Sequence, residues 1–121
     1  MPNAPVLVAC HDLLFRSKVE TTLRHMGQQP LSLRASDDPA AVIAAGQPSL
    51  VIVDLTLAPA RWHDIIAAAR AVDQPPRILA FGSHVDRAAQ AEARAAGCDL
   101  VVANSRLARE LPALVERLLH A

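Results

Sequence analysis

The run Leu50-Val51-Ile52-Val53 is wholly apolar and rich in β-branched residues, and it closes on a carboxylate, Asp54. A run of this length and composition predicts a strand buried on both faces, the kind found in parallel sheets covered by helices. The C-terminal ends of such strands form the crevice where open α/β sheets keep their ligands. Desolvating a carboxylate there is costly, so Asp54 needs a partner or a task. What the rest of the chain brings to Asp54 decides between them.

The same pattern recurs along the chain. Apolar strands are predicted at Val6 to Ala9, Leu31 to Ala35, Leu50 to Val53, Arg77 to Phe81 and Leu100 to Ala103. The second alternates with polar residues, as an edge strand does. Between them lie helical segments. One runs from about Leu13 to Met26, with Asp12 as N-cap and Gly27 as stop, and places Phe15, Val19, Leu23 and Met26 on one face. A short one opens at Asp38-Pro39 and ends near Ala45, before Gly46 and Pro48. A third spans about Asp64 to Ala71 and is broken by Gln74-Pro75-Pro76. A fourth, alanine-rich, opens with a capping box of Ser83 and Asp86 and ends at Ala96-Gly97. The last, capped by Asn104 or Ser105, carries the apolar stripe Leu107, Leu111, Leu114, Val115 and Leu118. Five strand–helix units in 121 residues imply right-handed βαβ crossovers and one domain, 1–121. The arrangement that fits is the flavodoxin-like (βα)5 doubly wound parallel sheet, strand order 2-1-3-4-5. In that order the first and third strands are neighbours, so Cys10, His11 and Asp12 face Asp54 across one crevice.

Composition narrows the function classes. Twelve basic and twelve acidic residues give a formal net charge of zero, which argues against generic binding to nucleic acid or an anionic membrane. No apolar run approaches the roughly 18 residues of a membrane span, and no signal peptide is evident. Cys10 and Cys98 are expected at distant points of the sheet, beyond the ~7 Å Cα separation that a disulfide tolerates. Reduced thiols fit a cytoplasmic protein. The loop from Cys10 to Phe15 has no glycine to cradle a phosphate, which disfavours a flavin or nucleotide enzyme on this fold.

With this unit count, these short connections, Gly27 and Gly97 ending helices, and Asp54 closing the third strand, the chain resembles the receiver domain of bacterial response regulators (CheY-like) over almost its full length. The resemblance implies a role in signal transduction by two-component phosphorelay. In that family an aspartate at the end of the third strand accepts a phosphoryl group, and Asp54 matches it. An acidic pair after the first strand helps to hold Mg²⁺, which wants oxygen ligands; here the pair is Cys10 and His11. A hydroxyl residue after the fourth strand becomes Gly82, with Ser83 one residue late. The lysine after the fifth strand becomes Asn104, and its following proline Ser105. The proline after the acceptor arrives one residue late as Pro59, Trp62 replaces a glycine, and the switch aromatic of the fifth strand is Val101. These departures mark a degenerate, pseudo-receiver variant.

Alternatives stay open at single residues. Asp54 is either a phosphoacceptor or a polar group held by backbone amides or by His11, whose protonated ring would form an ion pair with it. Asp12 is a displaced metal ligand or the cap of the first helix. Cys10, His11 and Asp54 are all zinc-ligand types. Cys10 is a candidate for a lowered thiol pKa beside His11 and a helix N-terminus, against a small apolar filler. His63, Asp64 and His84 are expected above the same crevice. Trp62, in the loop after the third strand, is either an exposed binding anchor or packs over Pro59. The function expected is a non-enzymatic, phosphorylation-independent protein-interaction module without cofactor. Its surface would be the fourth helix, fifth strand and fifth helix, with Arg87, Gln90, Ala91, Arg94, Val101, Arg106 and Arg109, engaging a protein partner or a second copy. The alternative is a phosphoacceptor regulator, modified on Asp54 with Mg²⁺.

Overall fold

The computed structural model describes residues 4–120. The elements follow the chain as β1 (Val6–Ala9), α1 (Leu13–His25), β2 (Pro30–Ser32), α2 (Pro39–Gly46), β3 (Leu50–Asp54), α3 (Pro59–Arg70), β4 (Arg77–Gly82), α4 (Arg87–Ala96), β5 (Leu100–Ala103) and α5 (Asn104–Leu119). The five strands form one parallel sheet in the order β2-β1-β3-β4-β5. This is the expected architecture. The register pairs Ala9 with Val53 and Asp54 with Phe81. The residues that follow β1 therefore emerge beside the end of β3.

Alternation along each strand sends its residues to two separate cores. Val6, Val8, Leu50, Ile52, Leu79, Phe81 and Val102 pack with Val19, Leu23 and the α5 stripe of Leu107, Leu111, Leu114, Val115 and Leu118. Leu7, Ala9, Val51, Val53, Ile78, Ala80 and Val101 pack with Ile43, Trp62, Ile65, Ile66, Ala69 and Ala93 from α2, α3 and α4. Each fully buried Val, Leu or Ile contributes about 1.5–3 kcal/mol, so the two covered faces of β1 and β3 fix those strands firmly. β2 is the half-buried edge strand, and Pro30 at its start forfeits no interior ladder bond. No helix among the described residues is long and apolar enough to cross a membrane.

Several element ends differ from expectation, each for a local reason. β2 ends at Ser32, three residues before Ala35, because the Asp37 carboxylate draws the Arg34 N–H into a turn at 2.8 Å. α3 starts at Pro59, five residues earlier than Asp64, because a proline at the first helical position has its φ preset and no N–H to lose. α2 runs through Gly46, and the left-handed residue is Gln47, φ 47°. Gly46 serves packing instead: a Cβ there would lie 2.6 Å from Leu31 Cδ2. Asp38 precedes α2 without a side-chain capping bond. The cap of α4 is Asp86, which accepts from the Ala89 N–H at 3.1 Å. Ser83 only closes a turn by accepting from the Val85 N–H at 3.3 Å. β5 runs straight into α5, so Ala103 takes the cap position and neither Asn104 nor Ser105 caps. Pro112 lies inside α5, where it cannot donate to a preceding carbonyl, and the helix kinks at Glu110 (φ −121°, ψ 15°).

Candidate functional site around Asp54

Asp54 ends β3 and is 3% exposed. Both its oxygens are occupied by the chain's own donors. Oδ2 accepts from the His11 backbone N–H at 3.0 Å and the Cys10 thiol at 3.7 Å. Oδ1 accepts from the Thr56 N–H at 2.9 Å and the Thr56 hydroxyl at 2.7 Å. A hydrogen bond to a charged acceptor stabilises by about 1.5–3 kcal/mol, which offsets the desolvation of the carboxylate. Thr56 is a site residue that the family pattern does not single out. The signal that could have found it is local: an aspartate two residues before a threonine, at the end of a strand, closes an Asx-type turn.

His11 holds Asp54 through its backbone and not through a protonated ring. Its side chain is exposed, and the ion pairs among the described residues do not include it. Asp12 caps α1, its Oδ1 accepting from Leu14 N–H at 2.8 Å and Phe15 N–H at 3.2 Å. The Cys10 thiol is pushed up to about 12, first by burial and then by the charge of Asp54. This is the opposite of a reactive thiolate, and Cys10 is a buried filler that also donates to Asp54. Cys10 and Cys98 are both free thiols.

A Mg²⁺ ion, implied by the fold's usual chemistry, does not fit these residues. It requires hard oxygen ligands. A thiol and an exposed imidazole stand where carboxylates would be, Asp12 is engaged in capping, and Asp54 is saturated. Among the described residues no three His, Cys, Asp or Glu side chains gather as a metal ion would need. The zinc combination of Cys10, His11 and Asp54 has no such cluster behind it either.

Gly82 ends β4 and is buried; a Cβ there would stand 3.1 Å from Leu55 Cβ, so Leu55 occupies the room a hydroxyl side chain would use. Ser83 accepts through its carbonyl from Gln90 Nε2 at 2.9 Å. Asn104 is exposed at the start of α5. Two cavities lie near the C-terminal ends of the strands, one beyond β4 and one beyond β1. One, of about 80 Å³, lies between Leu55, Thr56, Gly82 and the start of α4. The other, of about 90 Å³, lies on the β2 side of β1.

The expected interaction residues divide. Arg87, Ala91, Arg94 and Arg109 are exposed and Arg106 is half-buried. Arg106 and Arg109 both reach Glu110, at 3.4 and 3.3 Å. Gln90 is half-buried and tied to Ser83. Val101 is 8% exposed, and Trp62 is 1% exposed in the α3 core with its indole stacked on His63 at 3.9 Å. Neither is available as a surface anchor. Trp62 is buried because α3 starts early and carries it to the sheet. His63 and Asp64 also ride on α3 instead of rimming the crevice, and His63 faces Glu92 of α4 at 3.3 Å. His84 is exposed in the turn before α4.

No family model and no curated protein matches the sequence. Solved structures do match it. A response regulator signal receiver domain from Bermanella marisrubri superposes with a TM-score of 0.82 at 21% identity, covering 97% of this chain and 98% of that chain. A CheY-like response regulator receiver domain protein from Methanospirillum hungatei gives 0.84 at 13% identity, covering 98% and 95%. The signal receiver domain of the putative response regulator NarL from Mycobacterium tuberculosis gives 0.78 at 22% identity, covering 100% and 99%. At these identities the likeness is one of architecture, and with the strand order and the placement of Asp54 it establishes that the chain has the CheY-like receiver-domain fold of response regulators.

Proposed function

We propose that this domain is a signalling module that works by protein interaction without phosphorylation, and that it performs no catalysis of its own. The observation that carries this reading is the state of Asp54. Both oxygens are held by four donors of the chain itself, and among the described residues no cluster of acids gathers with it to share a metal. Phosphoryl transfer depends almost entirely on positioning and charge stabilisation. Here the pocket offers Cys10, Gly82 and Asn104 in place of an acid, a hydroxyl and a lysine. The interaction surface we assign is the α4–β5–α5 face. Exposed Ala91 permits close approach there, and Arg87 and Arg94 make no ion pair among the described residues. The partner is a protein or a second copy of the chain.

Sedimentation velocity tests this. Self-association, or binding of a candidate partner, is expected to be the same with and without acetyl phosphate and Mg²⁺, and to weaken in Arg94→Glu. Association that appears only with acetyl phosphate would refute the reading. Such a result would favour phosphorylation of Asp54, the second reading, which the position of Asp54 at the C-terminal edge of β3 supports.

A further inference from the structure

The cavity of about 90 Å³ on the β2 side of β1 has a one-sided lining. Arg16, Arg34, Arg61 and His11 all contribute to it, together with apolar and backbone surface, and no carboxylate side chain does. None of the three arginines belongs to an ion pair among the described residues. Of the acids within four residues of these arginines, Asp12 caps α1, Glu20 accepts from the Ser32 hydroxyl and Asp37 accepts from the Arg34 N–H, while Asp38 and Asp64 are exposed and do not line the cavity.

The guanidinium groups are held in distinct ways. Arg61 is fixed by two backbone carbonyls, Nη1 donating to Asp37 at 2.9 Å and Nη2 to Arg34 at 2.7 Å. Its charge is therefore placed but not neutralised. Arg16 donates from Nη2 to the Cys10 carbonyl at 2.8 Å, and its Nε is buried without any acceptor. A buried, unpaired N–H on a charged group is expensive, and native folds rarely leave one without a reason. Arg34 lines the cavity and is exposed, and its guanidinium makes no hydrogen bond among the described residues.

Three guanidinium groups without an ion pair among the described residues line a cavity of mixed polar and apolar surface, and one of them has a donor in need of an acceptor; a multiply charged anion meets both needs. Guanidinium groups match tetrahedral oxyanions by paired donors. The cavity, about 90 Å³, has room for roughly three waters, enough for one such group. We propose that this cavity is a binding site for a phosphate group, taken either as inorganic phosphate or as the head of a phosphate monoester. The site is separate from the Asp54 carboxylate, involves no transfer to it, and does not rest on the interaction reading above.

An amide NMR titration of the full chain at low ionic strength tests this, with inorganic phosphate, glycerol phosphate and sodium chloride as the probes. Saturable shifts are expected at His11 and at Leu33 to Ala35 with one or both phosphates, and not with chloride. A tighter response to phosphate identifies the free ion as ligand, and a tighter response to glycerol phosphate identifies an ester. Arg16→Gln and Arg34→Gln are each expected to weaken binding about tenfold or more, the loss that follows from one charge-assisted hydrogen bond. Arg34→Gln removes only an exposed, unbonded side chain, so it reports on the site even if Arg16→Gln perturbs the fold. Arg24→Gln, an exposed position in the last turn of α1, leaves binding unchanged. Absence of saturable shifts with both phosphates, shifts reproduced by chloride, or affinity unaffected by Arg34→Gln would overturn the proposal.

Discussion

The four groups that hydrogen-bond Asp54 are all donors of the chain itself. Substituting Asn keeps the shape but replaces one acceptor oxygen with an NH₂ group. That group must then face either the His11 N–H and the Cys10 thiol or the Thr56 N–H and hydroxyl. Asp54→Asn is therefore expected to destabilise the fold by about 1–3 kcal/mol, measured by urea unfolding. In a pocket of clustered carboxylates the same change would relieve repulsion and stabilise. The thiols give a pH prediction. Cys10 and Cys98 are both pushed from 9.0 up to about 12, in each case first by burial, then by the neighbouring charge of Asp54 and Asp99 respectively. The fold holds them protonated where the unfolded chain would ionise. Their contribution is complete below pH 9.0 and is lost as pH rises toward about 12. The wild-type urea midpoint should fall across that window, and should fall less in a variant with both cysteines replaced by alanine. The position of Asp54 is legible in the sequence because an apolar run ending in an acid is a strong signal. Its partners are not, because the decisive donor from His11 is a backbone N–H, which side-chain identity does not announce.

At the scale of elements, four of the five strands are legible to within a residue, since fully apolar runs of four or five residues between turn signals fit little besides a buried strand. The edge strand β2 is the exception, because a turn held by Asp37 competes with the ladder. Helix starts are harder to place. Asp12 caps α1 as its sequence context predicts. At α3 the spacing favours Asp64 over Pro59, and that start would leave Trp62 in a loop. The proline is the stronger signal, because its fixed φ suits the first turn. At α4 the capping-box pattern points to Ser83, yet Asp86 caps, because the turn through Ser83 to Val85 precedes the helix. Gly97 stops α4 as predicted, and it carries a test. Its φ is +113°, and a Cβ would meet Arg70 Cδ at 2.4 Å. Gly97→Ala should cost about 1–2 kcal/mol from the left-handed backbone alone, seen as a lower unfolding midpoint, with Gly27→Ala a comparison in which nothing lies within 4 Å of the added Cβ. The kink of α5 at Glu110, caused by Pro112, sits just beyond Arg106 and Arg109 and so shapes one border of the proposed interaction face.

Across the whole molecule, topology is the most legible level of all. Five short units leave little choice but a parallel sheet with helices on both sides, and the 2-1-3-4-5 order places the ends of β1 and β3 together. The architecture thus delivers Asp54 to the edge of the sheet where chemistry is usually done, while the residues delivered with it hold it in place. Electrostatic asymmetry is invisible in a net charge of zero, because the balance is global while three arginines converge on one cavity. If Asp54 is a structural carboxylate and not a phosphoacceptor, the chain should resist phosphorylation by a small-molecule donor. Intact-protein mass spectrometry after incubation with acetyl phosphate and Mg²⁺ tests this most directly. The mass of the wild-type chain is predicted to stay unchanged; a gain of one phosphoryl group that disappears in Asp54→Asn would contradict it.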